Sequence, residues 1–313
     1  MNKDFKDNND HYTKSFGIEW TEFSDTQLTD KHDWDINKSR LELVLGFPLE
    51  FLKEKSCIEV GGGAGRFSTF LAENCKKLCV LDASDAIDIN SARGKSNATF
   101  VRGDFLEEKV RKDHFEKYDL VYCRGVIQHT ENPRKAIKSL FDFTGDGGIV
   151  IFDVYPRYKS NLWYFFTDWK FFWRKILPRL FTTDEFTRFL KRNSSKVYKF
   201  YRFNRSIYSF FPIRILCKFV PIFKVLFFTD LLFDHPGLKS KKNKEDMLSL
   251  ILVDTIFANY DQPMNMKEIS EVLASFGQKY YACDSNRCIV RCKKNSNYTE
   301  KQFLITKNGV YLY

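Results

Sequence analysis

A chain of 313 residues with 43% apolar content can bury a sizeable core, as one large domain with an insertion or as two domains. Its formal charge of +10 points to an anionic partner, whether a phosphate-bearing substrate, a nucleic acid or a membrane surface. Eight cysteines without a C-x-x-C pair, behind a polar start lacking an apolar signal core, suggest a reducing, cytoplasmic setting rather than a disulfide framework. Cys283, Cys288 and Cys292 lie close together, but their spacing lacks a fourth ligand and falls across predicted strands, so no metal site is expected.

Residues 1–14 are polar and expected to be disordered. Ser15 to Phe23 is too aromatic for a free tail, and Phe16, Trp20 and Phe23 are expected to staple it to the core. Ile36, Leu41, Val44 and Leu45 recur at near-helical intervals, and Phe47-Pro48 closes that helix. Next comes Cys57-Ile58-Glu59-Val60-Gly61-Gly62-Gly63-Ala64-Gly65-Arg66-Phe67, read as a buried strand turning through glycines into a helix. Gly61, Gly63 and Gly65 form a G-x-G-x-G turn, in which missing Cβ atoms permit tight dihedrals and close approach of a ligand to the backbone. Glu59, at the strand's end, could meet a ligand's cationic amine.

Leu78 to Asp82 is a second strand ending in an acid, 21 residues after Gly61, near the offset at which doubly wound sheets hold a ribose diol. Ala86 to Arg93 reads as a helix and Ala98 to Phe105 as a third strand with its exit, where Asp104 is either a second ligand contact or a turn acid. Tyr118 to Cys123 is the fourth strand, and Arg124 to Thr130 follows it at the carboxyl edge, where open parallel sheets bind ligands. His129 in that segment is either a general base or substrate-orienting group, or a residue bonded to nearby backbone. Pro133 to Phe143 is a helix, and Gly145 to Gly148 turns into a fifth strand, Ile149 to Tyr155. Strand and helix alternate strictly, which means a parallel sheet.

These residues resemble, motif by motif over residues 15–155, the class I S-adenosylmethionine-dependent methyltransferases. The resemblance implies an α/β fold, a doubly wound, mostly parallel, seven-stranded Rossmann-like sheet, with S-adenosyl-L-methionine as cofactor. It implies that Glu59, Gly61, Gly62, Gly63 and Gly65 hold the methionine part, Asp82 with Ala83 the ribose, and Asp104 with Phe105 the adenine, with Arg124 on the cofactor side. A dinucleotide dehydrogenase would favour glycine where Arg66 stands. Two residues depart from the family pattern: Glu59, where Asp is commoner, and Gly62, where Cys often sits. The segment S-F-G-x-x-W-x-x-F, continued by Gln27, Leu28 and Thr29, resembles members found with bacterial surface-polysaccharide genes, where it is expected to cap the cofactor cleft. Val126 to Thr130 is similar to the family's V-L-x-H-T motif, making His129 the candidate base, with Trp20, Gln128, Tyr155 and Tyr260 as candidate substrate contacts.

The pattern breaks at Pro156. Residues 157–228 hold 16 Lys plus Arg against three acids, and 23 of the chain's 52 aromatic residues. An inserted helical subdomain is expected, with 1–35 as tail and cap, 36–156 as core, 157–245 as insertion and 246–313 as return to the core. Within it, Leu162 to Phe181 and Ile207 to Phe228 stand out; in the second, Arg214, Lys218 and Lys224 with two prolines disfavour a transmembrane helix and leave an interfacial one. The insertion is expected to pack on the core or to meet anionic lipid or a lipid-linked diphosphate, a peripheral membrane contact. Nucleic acid is disfavoured, because no RNA module appears and no Asn/Asp-Pro-Pro-Tyr/Phe motif follows the fourth strand. Lys239 to Glu245 reads as a charged linker, and Leu250 to Pro263 resembles the family's return segment without its Trp and first Pro. Met266 to Phe276 is a helix stopped by Gly277, Tyr280 to Cys283 and Cys288 to Cys292 a hairpin with Arg287 near its turn, and the last twenty residues a possible edge strand. The expected acceptor is a sugar, nucleotide-sugar or lipid-linked glycan; the alternatives are a quinone or lipid methyltransferase, an RNA-binding protein or RNA methyltransferase, and a noncatalytic binding module.

Overall fold

The computed structural model describes residues 8–23, 31–157, 169–210, 212, 241–278, 281–284, 288–295 and 311–312. The chain divides into two compact units, Met1–Arg157 with Asn259–Tyr313, and Tyr158–Ala258.

In the first unit, β1 (Ser56–Val60), β2 (Lys77–Asp82), β3 (Ala98–Arg102), β4 (Tyr118–Cys123) and β5 (Thr144–Asp153) pair in parallel. Beyond β5, β6 (Tyr281–Asp284), β7 (Ile289–Lys293) and β8 (Tyr311–Leu312) add antiparallel ladders, giving the order β3-β2-β1-β4-β5-β7-β6-β8. Seven strands match the expected sheet, and β8 is the edge strand from the last twenty residues. The helices α1 (Asn8–Glu22), α2 (Lys31–Leu45), α3 (Ser68–Asn74), α4 (Ala86–Ala92), α5 (Glu108–Asp113), α6 (Pro133–Phe143) and α10 (Met266–Ser275) belong to this unit. Because α3, α4, α5 and α6 join successive parallel strands, strand order reverses between β1 and β4 and opens a crevice at their carboxyl ends.

Side-chain alternation across the sheet builds two cores. Ile58, Val60, Val121, Cys123, Val150 and Phe152 meet Ile137 and Leu140 of α6 on one face. Cys57, Leu78, Val80, Leu120 and Ile151 meet Leu41 and Leu45 of α2 and Leu71 of α3 on the other. Burial on both faces is why these strands read as nearly continuous apolar runs. Helix α6 starts where the sequence places it, because the Asn132 side chain accepts the Lys135 N–H and Pro133 occupies a first-turn position that needs no donor.

Several expectations are corrected. Residues 8–14, expected to be disordered, form the first turns of α1, since they extend a helix whose later turns are anchored by buried Ser15, Glu19 and Phe23. Gly145 to Gly148 lie within β5, whose pairing with β4 shifts register between Tyr118 and Leu120, so an irregular strand replaces the turn. Helix α5 was not anticipated; its six residues are too few and too charged to show an apolar period.

In the second unit, α7 (Trp169–Leu180), α8 (Thr183–Ser209) and α9 (Lys241–Phe257) pack together, with Phe186 of α8 5.2 Å from Phe257 and Arg174 of α7 donating to the Thr255 carbonyl. A capping box closes α8: Thr182 accepts the Glu185 N–H, and Glu185 accepts the Thr182 N–H. Residues 241–245, expected to be linker, are the start of α9, and the unit runs to Ala258 rather than 245. The apolar residues of α9, Leu248, Leu252, Val253 and Ile256, are what recruit that segment into the helical unit. The expectations for Gln27 to Thr29, for Trp163 and its neighbours and for Arg287 lie outside the described residues, as do residues 211 and 213–228 of the interfacial stretch Ile207 to Phe228, whose first residues end α8. Among the described residues, no helix is long and apolar enough to cross a membrane.

Candidate active site

The glycine turn follows β1 at the reversal of strand order. Gly61, Gly63 and Gly65 have φ of +79°, +49° and +100°, the left-handed region that L side chains avoid. Two of them are also packed shut: a Cβ at Gly61 would lie 2.1 Å from Val126 Cγ2, and one at Gly65 2.5 Å from Asn90 Oδ1. Gly63 differs. Among the described residues, a Cβ there would meet the Trp20 ring alone, at 3.8 Å.

The carboxylates come from three adjacent strands, β1, β2 and β3. Asp82 spans the turn: Oδ2 accepts the Gly63 N–H at 2.7 Å, and Oδ1 accepts the Ser84 N–H at 2.7 Å and the Ser84 hydroxyl at 2.6 Å. A carboxylate offers about four lone-pair positions, so three are used and a further donor can still be accommodated. Burial pushes the Asp82 carboxyl up, opposed by the bonds from Ser84 and Gly63. The Asp82 carbonyl accepts the Gly103 N–H at 2.9 Å, which ties the β3 exit to the end of β2. Asp104 next to it is engaged as a turn acid, Oδ1 accepting the Leu106 N–H at 2.8 Å, and Phe105 is buried in the core beside Leu106 and Val110. Ala83 is half-buried between Asp82 and Ser84.

Glu59 lies beneath the turn. Its Oε2 accepts the Ser68 hydroxyl at 2.5 Å, Ser68 accepts Asn90 Nδ2 at 2.8 Å, and a Cβ at Gly62 would sit 3.4 Å from that oxygen. Burial pushes its pKa up to about 8, against the Ser68 bond and helped by the charge of Asp82. The carboxyl is thus a proton-bearing brace of the turn at neutral pH, able to become an anion where a cation arrives.

The β4 exit forms the opposite wall. Arg124 places its guanidinium 5.1 Å from the centre of the Phe67 ring and its Nε 3.6 Å from Asp153 Oδ2. Asp153 Oδ1 accepts the Gly125 N–H at 2.6 Å. His129, 4% exposed in a short 3-10 turn, points Nδ1 at the Tyr260 carbonyl 3.0 Å away, and its ring lies against Phe16 at 5.1 Å and edge-on to Tyr155 at 5.4 Å. A carbonyl partner requires Nδ1 to donate, so Nε2 is the basic nitrogen of the neutral ring. Gln128 is fully buried; its Oε1 accepts the Tyr155 N–H at 3.4 Å, and its Nε2 has no acceptor among the described residues. Gln262 fixes the returning chain here, donating its N–H to the Gln128 carbonyl and its side-chain amide to the carbonyls of Thr130 and Glu131.

Helix α1 closes over this edge. Gly17 comes within contact of Ser84 and Asp85, Trp20 faces Gly63, and Phe16 covers His129, so the small residue in S-F-G-x-x-W is where the helix approaches the β2 exit. Glu59, Gly61, Gly63, Asp82, Trp20, Arg124, Gln128, His129, Tyr155 and Tyr260 therefore share one end of the sheet, and Asp104 and Phe105 follow β3 at that same end, Asp104 bonded within its own turn and Phe105 packed in the core. Sequence reasoning missed Ser68, Ser84, Asn90 and Asp153. The signal for Asp153 was an acid ending a strand, the same signal that identified Asp82; Asn90, a buried polar residue in an otherwise helical stretch, had none.

A methyltransferase-domain family model matches residues 35–197. The ubiquinone biosynthesis O-methyltransferase of Hydrogenovibrio crunogenus is 29% identical over 130 residues, 41% of this chain and 53% of that protein. The enzyme of the same name from Rickettsia canadensis is 30% identical over 130 residues, 40% of this chain and 54% of its own. The chain thus spans about half the length of these curated relatives. A solved structure of the N-methyltransferase NodS from Bradyrhizobium japonicum, in complex with S-adenosyl-L-homocysteine, is 23% identical, covers 46% of this chain and 74% of its own, and has a TM-score of 0.37.

Proposed function

Because this chain belongs to the methyltransferase-domain family, we propose that it transfers a methyl group from S-adenosyl-L-methionine to a hydroxyl of a small or glycan acceptor: a sugar, nucleotide-sugar or lipid-linked glycan. When bound, the cofactor supplies a methyl group already activated on a sulfonium. The residues present fit such a group. Among the described residues a Cβ at Gly63 meets no clash, unlike one at Gly61, Gly62 or Gly65, and Asp82 retains an acceptor position for a ribose hydroxyl. Glu59 and the turn would hold the methionine part, Asp82 with Ala83 the ribose, Asp104 and Phe105 the adenine, and Arg124 would line the same side.

One observation carries the choice of a hydroxyl acceptor: the Tyr260 carbonyl holds the His129 proton on Nδ1 and so makes Nε2 the base. His129 would take up the hydroxyl proton there. Gln128, Trp20, Tyr155 and Tyr260 would orient the acceptor, and the chain's remaining work is alignment and exclusion of water. A second reading, a quinol or other phenolic acceptor, is supported by the name carried by the two relatives and by the rings of Phe16 and Tyr155 flanking His129.

Calorimetry with S-adenosylhomocysteine, then a methyl-transfer screen of nucleotide-sugars, lipid-linked sugars, hydroquinones and RNA, tests the proposal. Binding of S-adenosylhomocysteine with transfer to a sugar hydroxyl supports it. Transfer only to hydroquinones selects the second reading, and no binding removes both.

A further inference from the structure

The second unit carries a feature independent of the proposed chemistry. Between Phe186 and Ser209, α8 has seven lysines and arginines and no acid. Its inward sector is set by Phe186, Leu190, Tyr201 and Asn204, all buried. At 3.6 residues per turn, Phe189, Arg192, Lys196, Lys199, Phe200 and Phe203 fall within about 100° on another side of the helix. The three cations are exposed, and Phe189, Phe200 and Phe203 are 46%, 54% and 62% exposed. Phe189 keeps ring contacts with Phe181 and Phe186 at 6.2 and 6.3 Å on one side, but three large aromatic side chains this open to water in one stripe mark a surface suited to a partner.

We propose that this face of α8 is a docking surface for an anionic phospholipid bilayer. Charge complementarity selects the occupant: ammonium and guanidinium heads on flexible stems can spread to lipid phosphates while the phenylalanine rings between them sink to the acyl boundary. Phe189 to Phe203 covers about 21 Å of helix, long enough to lie along a membrane surface and not across one. Single-stranded nucleic acid would also meet aromatic rings and cations, but its binders line a groove that follows the strand, and α8 presents them on a convex helix side. The surface would bring the full chain to a membrane where amphipathic or lipid-linked acceptors reside.

The experiment is sedimentation of the full-length protein with phosphatidylcholine vesicles, with and without phosphatidylglycerol, and with an RNA oligonucleotide as competitor. Expected is partition to the anionic vesicles only, weakening as salt rises. The charge-reversed variant Arg192→Glu/Lys196→Glu/Lys199→Glu should lower partition at least about tenfold. The variant Phe200→Ser/Phe203→Ser should weaken partition and leave the salt response in place. Both change exposed positions, so binding of S-adenosylhomocysteine and the thermal melt should match the parent. Vesicle binding that neither variant changes would put the contact elsewhere and overturn the proposal. So would equal binding to neutral vesicles, no vesicle binding, or tighter retention by RNA.

Discussion

Asp153, at the end of β5, accepts the backbone N–H of Gly125 at 2.6 Å and so ties the β4 exit to the neighbouring strand. Its other oxygen lies 3.6 Å from Arg124 Nε, so one carboxylate sets both the path of the loop and the position of its cation. Asp153→Ala should destabilise the protein by about 2–3 kcal/mol, because it strands an N–H and a partly buried guanidinium together. Asp153→Asn keeps an acceptor for Gly125 and should cost about half as much. Urea unfolding of the three proteins measures the difference, and equal losses would show that the charge, not the hydrogen bond, matters.

The glycines of the turn should not be equivalent. Gly61→Ala forces a Cβ against Val126 in a left-handed backbone, for an expected loss of about 2–4 kcal/mol. Gly125 has φ +72° but no described atom within 4 Å of a new Cβ, so Gly125→Ala should lose only about 1 kcal/mol. Val126→Ala placed on Gly61→Ala should recover part of the larger loss, a coupling that a double-mutant cycle reads directly.

Glu59 makes a signed prediction about pH. Its folded pKa is raised to about 8 from an ordinary 4.5, so the folded state holds a proton that the unfolded state releases between those values. Its favourable contribution is fully present below pH 4.5 and is lost as pH rises through about 8, with a slope of at most about 1.4 kcal/mol per pH unit. Asp82, shifted the same way by burial, adds to the trend. Glu59→Gln should flatten the slope of unfolding free energy against pH. If Glu59 receives the methionine ammonium, ligand binding near neutral pH should release a proton from the parent and not from the variant, which calorimetry in buffers of different ionisation enthalpy detects.

His129 should separate binding from turnover. His129→Ala should reduce kcat/KM for a hydroxyl acceptor about 100-fold or more and leave the affinity for S-adenosylhomocysteine within about twofold. An undiminished rate would remove the general-base role and leave the ring as packing between Phe16 and Tyr155.

Trp20→Ala should act on the cofactor side instead. The ring stands over Gly63, and losing its cover should weaken S-adenosylhomocysteine by about tenfold with little change in unfolding free energy, since Trp20 is only half-buried.

The sheet was legible because its physics is local. Cys57 to Val60, Leu78 to Leu81 and Tyr118 to Cys123 are apolar runs, and glycines and terminal acids mark where each strand ends. The braces were not legible. Ser68 and Asn90 reach Glu59 from helices that become neighbours only when β1 and β2 pair, and Gln262 meets Gln128 across 134 positions of sequence. The extent of the helical unit was misread for a related reason: the charged start of α9 looks like linker until its apolar second half is seen to hold it against α7 and α8.

The crossing points of the two units have a consequence for how such a chain can be rebuilt. The Met264 N–H donates to the Tyr155 carbonyl and the Arg157 N–H to the Met264 carbonyl, and Arg157 pairs with Glu268. The two chain segments that bracket 101 residues of helical unit are therefore stitched side by side within the sheet-bearing unit. A short graft could bridge them at little entropic cost, so the helical module should be replaceable as a cassette, its sequence rewritten or traded for another while β5 keeps its register.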